Sequence, residues 1–147
     1  MGAWQDGQVR FALRAASAAD VDDLIALWEE AAENGSRPPD TAGAVTALLG
    51  RDPQAVILAD QDGALIGSII AGWDGWRYHL YRLAVRPDRR GQGVGSALLD
   101  AAESRLKALG ATRIDAMVLD CNDLGQHLWR ASGYSRQDDW RRWVKRL

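Results

Sequence analysis

The sequence predicts an α+β (mixed α/β) fold built on one twisted, mostly antiparallel sheet with helices on both faces. Three observations lead there. Along the 147 residues, stretches with apolar positions at period two alternate with stretches of helical spacing. Asp62-Gly63 and Asp74-Gly75 each stand between strand-like runs and are strong hairpin signals, so three consecutive antiparallel strands occupy the middle of the chain. The glycine-rich stretch Arg90-Gly91-Gln92-Gly93-Val94-Gly95-Ser96 then joins the end of the third strand to a long helix.

In order, residues 8–15 carry Val9, Phe11 and Leu13 at period two and predict an opening strand at a sheet edge. Ser17-Ala18-Ala19-Asp20 outlines a capping box with Asp in place of Glu. The helix that follows places Val21, Leu24, Ile25, Trp28 and Ala32 on one face and ends at Asn34-Gly35, with Trp28 assigned to the core. Arg37-Pro38-Pro39-Asp40 breaks the chain, and residues 41–49 predict a shorter, weaker helix stopped by Gly50, a connector or a lid. Strands follow at 54–59, 64–73 and 76–85, the last ended by Pro87. Val94, Leu98, Ala101, Ala102, Leu106 and Leu109 define the long helix, closed by Gly110. Residues 112–119 predict a strand, 120–123 a turn, Leu124, Leu128 and Trp129 a short helix up to Gly133, and 140–147 a closing strand or hairpin.

The length fits a single domain, residues 1–147, and no repeat or linker interrupts it. With 18 Lys and Arg against 20 Asp and Glu, the net charge of −2 argues against a general nucleic-acid binder. One cysteine, Cys121, leaves no internal disulfide framework, and two distant histidines give no zinc-type spacing, so no metal is expected. No basic leader and no run of ~20 apolar residues appears, so the expected setting is cytoplasmic, without a membrane partner.

The glycine loop is a candidate phosphate cradle. The first N–H groups of a helix lack intrahelical partners and point outward beside the positive end of its dipole. Glycines at 91, 93 and 95 allow close backbone approach, and Arg86, Arg89 and Arg90 add local positive charge. Plain punctuation is the alternative. The dinucleotide fingerprint does not fit, because Leu98 holds the place of its last glycine, and the nucleotide P-loop lacks its Gly-Lys-Ser/Thr.

Residues 83–95, Leu83-Ala84-Val85-Arg86-Pro87-Asp88-Arg89-Arg90-Gly91-Gln92-Gly93-Val94-Gly95, resemble the strand, Pro-containing turn and Arg/Gln-x-x-Gly-x-Gly/Ala loop of the GNAT superfamily of N-acetyltransferases. Asn122 through Gly133-Tyr134 is similar to that family's Asn, helix and terminal Gly-aromatic pattern. The resemblance implies acetyl-coenzyme A (acetyl-CoA) as co-substrate, in a wedge between the strands ending at Val85 and at Leu119. Backbone groups of Leu83, Ala84 and Val85 would meet the pantetheine arm and thioester, residues 90–96 the pyrophosphate, and Asn122 and Trp129 the coenzyme from the second motif. It further implies transfer of acetyl by direct attack of a primary amine, on a small molecule or a peptide or protein.

That chemistry needs an acceptor for the amine's proton, a donor to the departing thiolate and a preorganised donor to the carbonyl oxygen, for which the Val85 N–H is the family-like choice. Many members carry a tyrosine five residues before the final aromatic; here the position is Trp129, a poor acid. A non-catalytic acyl-CoA sensor with the same fold is therefore the alternative, and an interaction domain a weaker third. His79, Tyr81 and Asp74 are the candidates for proton handling, with 79, 81, 83 and 85 placed on one face by strand parity. Cys121 lacks an evident His partner and is assigned a structural role. Of seven tryptophans, Trp73 and Trp76 flank the Asp74-Gly75 turn, where indole faces could receive a cationic amine, pack the hairpin or form a homodimer interface.

Overall fold

The computed structural model describes residues 11–31, 39–120 and 122–147. The start of the first strand, Ala32, the Asn34-Gly35 stop, Arg37-Pro38 and Cys121 lie outside the described residues. Two compact units are resolved, Met1–Met117 and Val118–Leu147, and each is described by itself.

The first unit holds a five-stranded sheet in the order β1 (Ala12–Ala15), β2 (Val56–Gln61), β3 (Ala64–Trp73), β4 (Tyr78–Val85) and β5 (Asp115–Ala116). All neighbours pair antiparallel except β4 and β5, which are parallel, and β1 is at an edge as expected. Asp62 and Gly63 both have positive φ (52° and 77°), the conformation a two-residue hairpin turn needs to match strand twist. At the next turn Asp74 accepts from the N–H groups of Trp76 (2.8 Å) and Arg77 (2.7 Å).

α1 (Val21–Glu30) and α2 (Ala42–Arg51) cover one face. Val21, Leu24, Leu27 and Trp28 pack with Val45, Leu49, Val56 and Leu58 in one buried cluster. The capping box forms ahead of α1: the Ser17 N–H donates to Asp20 (2.8 Å), opening a one-turn 3-10 helix, Ala18–Asp20. Arg14 on β1 grips the same carboxylate with two bonds of 2.8 Å. The other face carries α3 (Val94–Ala108), whose Val94, Leu98, Leu99, Ala102 and Leu106 are buried. Gly67 of β3 lies so close beneath it that a Cβ there would stand 3.0 Å from both Val94 and Leu98. Gly110 (φ 105°) ends the helix: its N–H reaches Lys107 O and that of Ala111 reaches Leu106 O, a Schellman closure. Arg105 fastens α3 to the sheet through the Ala71 carbonyl and to the end of α2 through Asp52 (2.6 Å).

Four expectations are corrected. Gly50 does not stop α2, which runs through Arg51; the stop comes at Asp52, where the following Pro53 disfavours helical backbone. Of residues 112–119 only Asp115 and Ala116 enter the ladder. Residues 140–147 form no strand or hairpin; Trp140, Trp143 and Val144 are exposed and have no neighbouring strand in the ladder to pair with. Strand parity also fails along β4, for the reason given next. In the second unit α4 (Asp123–Ala131) starts where expected, with the Asn122 side chain accepting from Gly125 N–H (2.9 Å). Among the described residues no helix is long and apolar enough to cross a membrane.

Candidate active site at the bulged strand and the glycine loop

β4 contains one residue more than its partner. Tyr81 stands opposite Ile70 and Ala84 opposite Ser68, so Ile69 faces two residues, Arg82 and Leu83. Arg82 takes the extra step in the left-handed region (φ 50°), which makes this a β-bulge. The bulge inverts both alternations of the strand. Before it, His79 and Tyr81 lie on the face of α1, paired with Gly72 and Ile70; after it, Val85 lies opposite Gly67, on the face of α3. Residues 79 and 81 therefore do not share a face with Val85, a correction that strand parity alone could not supply.

The backbone inverts in the same way. Asp74 N–H bonds Arg77 O at the hairpin, so before the bulge odd-numbered residues of β4 turn their N–H and C=O toward β3. After it, Arg86 N–H donates to Ile66 O (2.8 Å), so the even-numbered residues face β3, and Leu83 and Val85 turn theirs to the opposite edge. On that edge β5 pairs only with His79 and Leu80. Among the described residues the ladder on that edge goes no further than Leu80. The result is a short open strand edge with two sets of aligned donors and acceptors.

That edge runs into the glycine loop. Gly91 (φ 79°) and Gly93 (φ 82°) take left-handed conformations that other residues resist, and a Cβ at either would meet nothing within 4 Å. Gly93 is the N-cap of α3, with no side chain to satisfy the helix's first N–H groups and no acidic residue in its first turn. The open space is therefore bordered by unsatisfied donors. Arg89 is fixed by Gln61 (2.8 Å) and shares Asp88 with Arg86, whereas Arg90 has no ion pair among the described residues. Among the described residues the Arg86 Nε donor and the Gln92 Oε1 acceptor are buried without partners. A phosphorylated ligand fits the loop, since free helix N–H groups beside open space call for an anion.

The Acetyltransferase (GNAT) family model matches residues 21–134. The chain belongs to the GNAT acetyltransferase family. An acetyltransferase of Yersinia enterocolitica is 33% identical over 127 residues, 86% of this chain and 89% of that protein. The PaiA N-acetyltransferase of Thermoplasma acidophilum, solved in complex with coenzyme A, superposes with a TM-score of 0.76 at 20% identity, over 87% of this chain and 91% of that one. YncA of Salmonella typhimurium, a putative acetyltransferase solved with acetyl-CoA, gives 0.72 at 17% identity, over 85% and 79%. At such identities these two likenesses establish the GNAT fold.

Within this GNAT fold the titratable candidates separate. Tyr81 is 44% exposed, its ring laid across Gly72, where a Cβ would come within 3.1 Å of Cε2. The His79 ring lies 5.9 Å from that of Tyr81, and its Nδ1 is 3.9 Å from Asp115, which Arg113 also holds. Asp74 is engaged in its turn, and the Arg77 and Trp76 N–H groups hold its carboxyl below the usual range. Arg77 covers the Trp76 ring at 3.9 Å, occupying an indole face that the sequence offers to a cationic amine. In the second unit Trp129 packs edge-on against Tyr134, centroids 5.0 Å apart. Sequence reading missed Arg82 altogether, because nothing in an arginine signals a left-handed bulge.

Proposed function

We propose that this protein is an acetyl-CoA-dependent N-acetyltransferase that acetylates a primary amine of a small molecule or of a peptide or protein. The observation that carries the reading is the open edge at Leu83 and Val85 leading directly into an uncapped, glycine-lined helix N-terminus. A pantetheine arm, with its amides, can add to such an edge as a short strand does. The relatives solved with coenzyme A and acetyl-CoA support the choice of ligand.

Acetyl-CoA would supply the activated acyl group. In this chain the Val85 N–H, preorganised by the sheet, would donate to the thioester carbonyl as negative charge develops there, the role of an oxyanion hole. Leu83 and Ala84 would align the arm, and the N–H groups of residues 90–96 would hold the pyrophosphate. Asn122 and Trp129 enter by their motif positions. Tyr81 and His79, neighbours on the α1 face, are the groups we assign to proton transfer. Asp74 is the weaker choice, because a carboxylate stabilised as the anion is a poor base. Both units form one functional domain, a view supported by the family match across residues 21–134.

Trp129 in place of a tyrosine acid favours a second reading, an acyl-CoA sensor without transfer. Thiol release from acetyl-CoA across a panel of primary amines, together with calorimetry of coenzyme A, separates the two. Amine-dependent release supports the enzyme; binding without release supports the sensor; absence of binding removes both.

A further inference from the structure

The bulge that opens the strand edge is held by a chain of side chains from three other parts of the fold. Trp28 Nε1 on α1 donates to Ser68 Oγ (2.8 Å), and Ser68 Oγ donates to the Arg82 carbonyl (2.9 Å). Ser68 is wholly buried, in a strand whose neighbouring core positions are apolar, and Trp28 is 3% exposed. The Arg82 guanidinium in turn places Nε (3.0 Å) and Nη2 (2.7 Å) on Asp40, immediately ahead of α2, and lies 6.0 Å from the Trp28 ring centroid.

Each contact acts on the one non-glycine residue of β4 with a positive φ. A side chain persists in that conformation only where its surroundings over-determine it. Here the carbonyl is captured by a hydroxyl in place of a ladder N–H, and the guanidinium is clamped on the side of α1 and α2. Removing the capture would let Arg82 relax toward ordinary strand dihedrals. Leu83 and Val85 would then turn their N–H and C=O groups back toward β3, away from the open edge.

We propose that Trp28, Ser68 and Asp40 are positioning residues for acetyl transfer, locking the Arg82 bulge so that the backbone of Leu83 and Val85 is aimed at the thioester. The inference rests on the function proposed above. It implies that the network controls turnover more than affinity for free coenzyme A, because the glycine loop would hold the pyrophosphate whichever way Leu83 and Val85 point. A network that only stabilises the core would lower the melting temperature and leave turnover per folded molecule unchanged.

The test compares Ser68→Ala, Asp40→Ala and Asp40→Asn in the full chain, well below their melting temperatures. Three quantities are read: kcat, the Kd of coenzyme A by calorimetry, and amide hydrogen exchange at residues 83–85. Ser68→Ala and Asp40→Ala are expected to lower kcat by about tenfold or more, the equivalent of ~1.4 kcal/mol in the barrier. The rise in Kd should be smaller than the fall in kcat, and exchange should quicken at Ala84 and slow at Leu83 and Val85 as these turn toward β3, while α3 amides keep their protection. Asp40→Asn, which retains an acceptor oxygen for Arg82, should recover part of the loss. Unchanged kcat in the alanine variants, or a loss that tracks Kd, overturns the proposal. Should Ser68→Ala fail to fold, the Asp40 pair decides. Should the wild-type chain acetylate no amine, the functional reading fails, and the exchange arm alone then decides whether the network holds the bulge.

Discussion

Replacing Gly93 by Asp separates the glycine loop's ligand role from its structural one. Gly93 has φ 82°, and a Cβ added there meets nothing within 4 Å, so the substitution causes no clash inside the protein. The conformational cost for a non-glycine residue is about 1 kcal/mol. A carboxylate beside the positive end of α3 returns about 0.3–1 kcal/mol of that. The net destabilisation is below about 1 kcal/mol, a fall in melting temperature of at most roughly 3 °C. Binding is another matter. A carboxylate about 5 Å from one phosphate charge, at an effective dielectric near 20, repels it by about 3 kcal/mol. Solvent screening at this open site leaves roughly half, and the Cβ also occupies the approach path, so the Kd of coenzyme A should rise about 20-fold or more. Calorimetry at low and high salt measures the affinity, and the penalty should shrink with added salt. Gly93→Asp protein that melts normally and binds coenzyme A as tightly as wild type would refute the cradle.

Further predictions follow the same site outward. Gly72→Ala places a methyl 3.1 Å from the Tyr81 ring, so the ring must shift; steady-state kinetics should show lower kcat with little change in coenzyme affinity, and Tyr81→Phe should do the same. Asp74→Asn keeps an acceptor for the Trp76 and Arg77 N–H groups and should retain activity within a few-fold; a loss of a hundredfold or more would make Asp74 the base. Arg14 holds the Asp20 carboxyl at about 2, below its usual value of 3.8. Because the folded value is the lower one, the stabilisation is present above pH ~4 and is lost as pH falls through about 2. Half-exposed Arg14 reduces it to the order of 1 kcal/mol, and Asp20→Asn should flatten that part of a melting-temperature profile between pH 4 and 2.

The parts of this fold legible in the sequence are those fixed by local chemistry. Asp62-Gly63 demands two positive φ angles and Ser17 with Asp20 forms its box within four residues, so both could be read from neighbours alone. The glycine loop likewise carries its own signal in spacing. The bulge does not: Arg82 is held by Asp40, Ser68 and, through Ser68, Trp28, all distant in sequence, so its turn of the backbone is decided by tertiary contacts. Face assignments along β4 therefore failed beyond Tyr81, whereas the selection of Leu83 and Val85 rested on family likeness. Gly50 misled for a related reason, since a glycine with open space around it continues a helix when the next residues permit it, and the real stop was the approach of Pro53. The strand expected at 112–119 shortened to two residues because alternating Ile114, Ala116 and Val118 describe a strand without saying how much of it finds a partner.

The most direct test of the account is thiol release from acetyl-CoA by the purified chain across a panel of small amines and peptides, with the acceptor's mass read in parallel. Cys121, the one cysteine, adds at most a constant background of one thiol per chain. The account predicts release that requires an amine, saturates with acetyl-CoA and yields an acceptor heavier by one acetyl group. Tight binding of coenzyme A with no acceptor acetylated and no amine-dependent thiol would contradict it.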